Sequence, residues 1–247
     1  MQILISIDDT DNIESPGTGY LASRIAADLE SNGWGKSSFV TRHQLLVHPD
    51  VPYTSHNSAM CFSADIEEEY LDGVITYAAN FLERESASGS DPGLCVAVLD
   101  HLRESGELIR FGQSAKLSVL TKESAYERAQ QLGLHLSEHG GTGQGVIGAL
   151  AGAGLRLGGN DGRLRGQLYF GAPGGIVSVA ALTGNKTVDE VRSLEGSAVA
   201  DLDMVRLGDK VKTVLLGGQS VLLVVPSNET PDGPRWHTCS RQQLKRY

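Results

Sequence analysis

Ile3-Leu4-Ile5-Ser6-Ile7-Asp8-Asp9-Thr10-Asp11 reads as a short buried strand, residues 2–7, that delivers three carboxylates at its end. Carboxylates this close repel one another. They become useful where a divalent cation neutralises them, and Mg²⁺ is usually held by one or two carboxylates together with substrate phosphates. The same residues also suit a solvated acidic turn, because Asp and Thr are favoured where a strand passes into a helix. Both readings stand on this stretch alone.

Downstream, Leu21, Ile25 and Leu29 share one face of a helix predicted over residues 17–31, entered through Ser15-Pro16. Two strands follow, residues 39–47 and 58–66, joined by the polar segment 48–57. A helix over 67–85, a Ser/Gly/Asp-rich loop over 86–92 and an apolar strand over 94–99 complete the order βαββαβ. That order is the ferredoxin-like unit, so the expected fold class is α+β. Residues 121–139 are predicted as one helix, with Tyr126, Ala129 and Leu132 at helical spacing. It runs into the glycine segment 140–145 and a further helix over 146–157.

Residues 164–170 read as a strand. Ala172-Pro173-Gly174-Gly175 reads as a linker between a nucleotide-binding domain, 1–171, and a small β-rich domain, 176–247. Within the latter, residues 176–182, 204–207, 210–216 and 220–225 are β-rich. The segment with Trp236, His237 and Cys239 reads as a partly ordered polar arm.

Composition narrows the function. The chain has 247 residues and a formal net charge of -9, which argues against an extended basic surface for nucleic acid. Thirty glycines exceed the usual share of about 7%, so some part of the fold needs glycine backbone. Cys61, Cys95 and Cys239 form no CxxC pair, which gives neither a zinc ribbon nor a disulfide framework. Neither a leader peptide nor a membrane-spanning apolar run is legible, and a cytoplasmic location is expected.

Gly143-Gln144-Gly145-Val146-Ile147-Gly148 matches GxGxxG, but with a helix expected before it and no acidic residue about 20 positions later, a dinucleotide fold is not expected. The underlying physics survives, since backbone N–H groups opening a helix attract an anion. Alternatively these glycines let elements pack closely. An acidic strand end for a metal and a glycine loop for phosphate together point to ATP with Mg²⁺. Asp8, Asp9 and Asp11 would hold the metal, and Gly141, Thr142, Gly143, Gln144 and Gly145 the phosphate oxygens.

With those motifs in place, the chain resembles the tRNA 2-agmatinylcytidine synthetase family. The resemblance rests on Ile7-Asp8-Asp9-Thr10-Asp11, Thr18-Gly19-Tyr20-Leu21-Ala22, His48-Pro49-Asp50-Val51-Pro52-Tyr53, Asn57-Ser58-Ala59, Asp91-Pro92-Gly93 and Gly143-Gln144-Gly145-Val146-Ile147-Gly148-Ala149-Leu150, in that order. It implies a kinase-like domain that uses ATP to activate a cytidine of tRNA for joining to agmatine. It places Asp8, Asp9 and Asp11 on the acidic catalytic motif and Thr18 where the family also has a threonine, from which Thr18 would orient or accept a phosphoryl group. Thr18 also suits a plain helix N-terminal hydroxyl.

Three departures stand out. Cysteine pairs for a zinc ribbon and length for an OB-fold are not found after Gly175. Thr54, His56 and Gln144 are neutral or weakly basic where basic side chains are expected. The acidic balance suits a small-molecule acceptor better than tRNA.

Among the remaining polar residues, Arg42 and His56 are candidates to reach a phosphate if segment 48–57 folds over the site. His135 and His139 are expected on one helical face, with His139 beside the glycine loop as a phosphate contact. Two histidines make no zinc site without further ligands. Three functional readings follow. One is an ATP/Mg²⁺-dependent phosphotransferase or ligase acting on a small molecule. Another is a non-catalytic ligand-binding or regulatory homologue, and the third a shortened tRNA-modifying enzyme that needs a partner chain. Self-association into a homo-oligomer stays open.

Overall fold

The computed structural model describes residues 1–51, 57–171, 173–227 and 233–247. His56 and Thr54, and with them the role expected of His56 at a phosphate, lie outside the described residues, as does Ala172 of the expected linker. The chain divides into two compact units, Met1–Gly158 and Gly159–Tyr247. The division falls ahead of the expected linker, and residues 159–171 belong with the second unit.

The first unit runs β1 (Gln2–Asp8), α1 (Thr18–Ser31), β2 (Gly35–Ser37), β3 (Thr41–Gln44), β4 (Ser58–Ile66), α2 (Leu71–Glu85), β5 (Gly93–Val98), α3 (Ser105–Ser114), α4 (Lys122–Leu132), β6 (His135–Glu138) and α5 (Gly145–Gly158). Its sheet has the order β6-β5-β1-β4-β3, with β2 also on β4, and these neighbours pair antiparallel. Helices cover both faces, which is why β1 reads as a continuous apolar run rather than an alternating one. Ile3, Ile5 and Ile7 pack with Phe62, Leu94 and Val96 under α1 and α2, where Leu21, Ile25, Leu29, Val74 and Phe81 close the core. Each such buried aliphatic or aromatic side chain contributes about 1.5–3 kcal/mol.

On the opposite face β1 presents Ser6 and Asp8, and α5 lies almost against the backbone there. A Cβ on Gly152 would stand 2.5 Å from Ser6 Oγ, and one on Gly148 only 1.7 Å from Asp8 Oδ2. On the other side of α5, a Cβ on Gly154 would stand 2.1 Å from the Leu108 carbonyl of α3. Glycine inside a helix costs about 1 kcal/mol relative to alanine. Here that loss is offset by close packing of an otherwise apolar helix, with Val146, Ala149, Leu150 and Ala153 buried against α3 and α4.

Several sequence expectations change. Residues 121–139 are not one helix. Thr121 caps α4 by accepting from Ser124 N, Gly133 ends it with φ 71°, and the chain turns into β6. The glycine loop therefore follows a strand, and His135 and His139 are strand-spaced rather than on one helical face. Residues 39–47 shrink to β3, and β2 and α3 appear where no element was expected.

The second unit comprises β7 (Arg163–Leu164), β8 (Ile176–Ser178), α6 (Val179–Thr183), β9 (Glu190–Ser193), β10 (Met204–Arg206), β11 (Val214–Leu216), β12 (Gln219–Pro226) and β13 (Trp236–Thr238). Strands follow the order β7-β11-β12-β13-β10-β8, with β9 parallel to β12. The expected strand over 164–170 reduces to β7 and an isolated bridge from Leu168 to Val211. The expected polar arm supplies core instead. Trp236 is 1% exposed among Val179, Leu182, Val205 and Leu222, and its indole N–H donates to Asp203 Oδ2 at 2.8 Å. Among the described residues no helix is long and apolar enough to cross a membrane.

Candidate functional site

The first unit holds an open cavity of about 150 Å³ at the C-terminal end of β1. Asp8, Asp9, Asp11, Asp50 and Asp91 line it, together with Thr18 at the start of α1 and Gln144, Gly145, Ile147 and Gly148 at the start of α5. Leu45, Leu46, Val51, Ala115, Val119 and Leu120 form an apolar wall. Two helix N-termini thus open on a carboxylate-lined space. Among the described residues, no Lys, Arg or His lines it.

The chain reverses sharply to build this acidic turn. Asp9 has φ 50°, the only left-handed non-glycine residue described, and Asp is among the few residues that adopt that region readily. Asp8 is 9% exposed beneath Gly148. Burial, then the neighbouring Asp9 and Asp11 charges, push its carboxyl up to about 8 despite a bond from the Asp9 N–H. Asp9 is raised to about 6 by burial and by the charges of Asp91 and Asp11, against a bond from the Asp91 N–H. Asp11 instead accepts from Thr18 Oγ1 at 3.0 Å. Thr18 is the first residue of α1, while Gly17 occupies the cap position, so its hydroxyl serves the acidic turn rather than the helix end.

The glycine loop is tied to the same place differently from the sequence expectation. Gly145 lines the cavity with Gln144, whereas Gly141, Thr142 and Gly143 do not. The Asp91 carboxylate accepts from Thr142 N and, at 2.6 Å, from Thr142 Oγ1. Gly145 N donates to the Asp91 carbonyl at 3.1 Å, and Lys122 Nζ donates to the Thr142 carbonyl at 3.0 Å. Gly141 and Gly143, with φ 57° and 78°, let the loop wrap around Asp91. Gly145 and Gly148 are needed for close approach, since side chains there would strike the Asp91 carbonyl and the Asp8 carboxylate.

His139 does not line the cavity. Its Nε2 meets Ser137 Oγ at 2.8 Å and its Nδ1 meets Glu83 Oε1 at 3.3 Å, while His135 Nε2 meets the same Ser137 Oγ at 2.9 Å. Burial, and then the His139 charge, lower the pKa of His135. Arg42 also stands behind the cavity, with Nε donating at 2.8 Å to Ser58, whose residue does line it.

The carboxylates could accommodate a metal only in part. Among the described residues, no group of three or more His, Cys, Asp and Glu side chains is placed to hold an ion unaided. Asp8 and Asp9 nevertheless fit one side of a hard cation. They are oxygen donors whose mutual repulsion and burial a positive charge would relieve. Of the residues expected at the site, Asp8, Asp9, Asp11, Thr18, Gln144 and Gly145 line the cavity. Asp91, which was not among them, lines it too, signalled in the sequence only by the Asp91-Pro92-Gly93 motif, and nothing local marks the apolar wall.

The fold and cavity define a mixed α+β unit with an acidic strand end set against two helix starts. No family profile matches the chain. Over 160 residues, 63% of the chain, it is 28% identical to the tRNA 2-agmatinylcytidine synthetase TiaS of Methanosarcina acetivorans, and over 161 residues 28% identical to TiaS of Methanosarcina mazei. The chain spans 36% of the length of these curated relatives. Crystal structures of apo TiaS and of a complex of TiaS with its isoleucine tRNA and ATP share its fold over 62% of the chain, each with TM-score 0.54, at 23% and 24% identity and 35% and 36% coverage of their own chains. The chain therefore carries a TiaS-like region, as its motifs indicated.

Proposed function

We propose that residues 1–158 form an ATP- and Mg²⁺-dependent, kinase-like or ligase unit of a cytoplasmic enzyme that activates a small-molecule acceptor. One observation carries this reading. The cavity sets five carboxylates against two helix N-termini with no cationic side chain lining it among the described residues. A polyphosphate would be repelled there alone and accepted as a metal complex.

In this reading Asp8 and Asp9 hold the metal, which supplies neutralisation of phosphate charge. Asp11 orients the Thr18 hydroxyl at the phosphate donor. Gln144, at the start of α5, receives phosphate oxygens, favoured by the positive end of the helix dipole. The apolar wall excludes water from the reacting end. The order β5-β1-β4-β3, crossed by α1 and α2, supports a ferredoxin-like frame for these parts. The likeness to TiaS, found in complex with an isoleucine tRNA and ATP, supports ATP use.

Calorimetry with Mg²⁺ and ATP tests the proposal. Binding is expected, lost with EDTA and weakened about tenfold or more by Asp9→Asn, the scale of a removed charged contact. Absence of binding with Mg²⁺ or Mn²⁺ overturns it. Release of ADP or AMP across a panel of amines and nucleosides identifies the acceptor, and binding without turnover on that panel favours a ligand-binding homologue. A tRNA substrate presented with a partner chain is the second reading, favoured by the 36% span of relatives named for tRNA. Copurification of tRNA or of a basic subunit would support it.

A further inference from the structure

Three polar groups of Asp91 act in different directions. Asp91 stands close to Asp9, whose carboxyl pKa its charge raises and its N–H lowers. Its carbonyl accepts from the N–H of Gly145, the first residue of α5, at 3.1 Å. Its carboxylate accepts from both the N–H and the hydroxyl of Thr142. These contacts reach across 51 residues of sequence from Asp91 to Thr142.

The loop around Thr142 has the make-up of an anion seat, with left-handed Gly141 and Gly143 flanking an N–H and a hydroxyl that point at one centre. A carboxylate of the chain itself fills that centre. The fit leaves no room for another group, since a Cβ on Gly141 would stand 1.7 Å from Asp91 Oδ1. Lys122 fixes the loop from outside through the Thr142 carbonyl.

We propose that Asp91 is a positioning residue, held by Thr142, which fixes the start of α5 beside Asp9 in one geometry. Thr142 therefore acts on nucleotide through Asp91 rather than by touching phosphate. The proposal rests on the functional reading above and refines it, because the phosphates are then left to Gln144 and the metal side of the cavity.

A double-mutant cycle on the full chain separates the two roles of Thr142. Thr142→Val in the wild-type background is expected to weaken Mg²⁺·ATP binding about tenfold, the worth of a hydrogen bond to a charged group, and Thr142→Ser to restore it. In an Asp91→Ala background, Thr142→Val should change affinity by less than about twofold, because the two residues act as one unit. Asp91→Asn replaces Asp91→Ala if circular dichroism shows the latter unfolded.

Equal losses in both backgrounds mean that Thr142 contacts phosphate itself, and no loss in either means that the contact is idle; both results overturn the proposal. Hydrogen exchange at the Gly145 amide of the nucleotide-free protein gives an independent readout. It should quicken about tenfold in Thr142→Val and recover in Thr142→Ser, since that amide is held by the Asp91 carbonyl. If wild type binds no Mg²⁺·ATP, the functional reading fails, and exchange alone decides the positioning role. Unchanged exchange in Thr142→Val overturns it.

Discussion

Replacing Asp8 by Asn removes a carboxyl whose pKa burial lifts to about 8. An aspartate in the unfolded chain gives up its proton near pH 4, so between about pH 4 and 8 the folded protein holds a proton that the unfolded chain has released. Stability from this group is therefore fully present at low pH and is lost as pH rises through the folded value. The slope is about 1.4 kcal/mol per pH unit for one proton, which over pH 5 to 8 sets a ceiling of about 4 kcal/mol.

Asp9, raised to about 6, acts with the same sign over a shorter span. The lowered His135 acts with the opposite sign, gaining stability as pH rises, but it is common to both proteins and cancels in the comparison. At this size 1 kcal/mol moves Tm by about 2–4 °C. Thermal unfolding in metal-free buffer should then show the wild type losing roughly 10 °C more than Asp8→Asn between pH 5 and pH 8. Parallel pH profiles, within about 2 °C, would refute the burial and crowding assigned to Asp8.

Two further expectations test the packing. Gly148→Ala drives a methyl into the Asp8 carboxylate and should destabilise by about 1–3 kcal/mol in urea unfolding, whereas Gly73→Ala, on α2 with nothing within 4 Å, should be neutral or stabilising by up to about 1 kcal/mol. Equal effects would deny the close approach of α5 to β1. In the second unit, Trp236→Phe leaves Asp203 without its indole donor and opens a gap in the core, so a loss of about 1–3 kcal/mol is expected from the urea midpoint; an unchanged midpoint would count against a buried Trp236.

Local pattern settled much of the first unit. The run Ile3 to Ile7 had to be a buried strand, the spacing of Leu21, Ile25 and Leu29 had to be a helix face, and Asp8, Asp9, Asp11 and Thr18 followed from those two elements. Gly143 to Gly148 could be read either as a phosphate loop or as a packing device, because glycine permits both. Tertiary structure divided the roles. Gly145 and Gly148 allow close packing, while Gly141 and Gly143 curve around Asp91.

Periodicity misled where one residue outweighed it. Gly133 in the left-handed region stops α4, and His135 to Glu138 then pair with β5, a choice that sheet hydrogen bonds make and helical spacing cannot reveal. Trp236 looked polar by its neighbours, yet its burial depends on α6, β10 and β12 meeting around it.

What the sequence determined by itself was the supply of chemistry, an acidic strand end and a glycine-rich helix start, since both are set by residues adjacent in the chain. Only the tertiary structure decided how they meet. Asp91 joins the loop to the start of α5, Thr142 faces a carboxylate rather than the cavity, and residues 115–120 supply part of the apolar wall. These contacts link segments tens of residues apart, and their register is fixed by sheet pairing and by the close seating of α5.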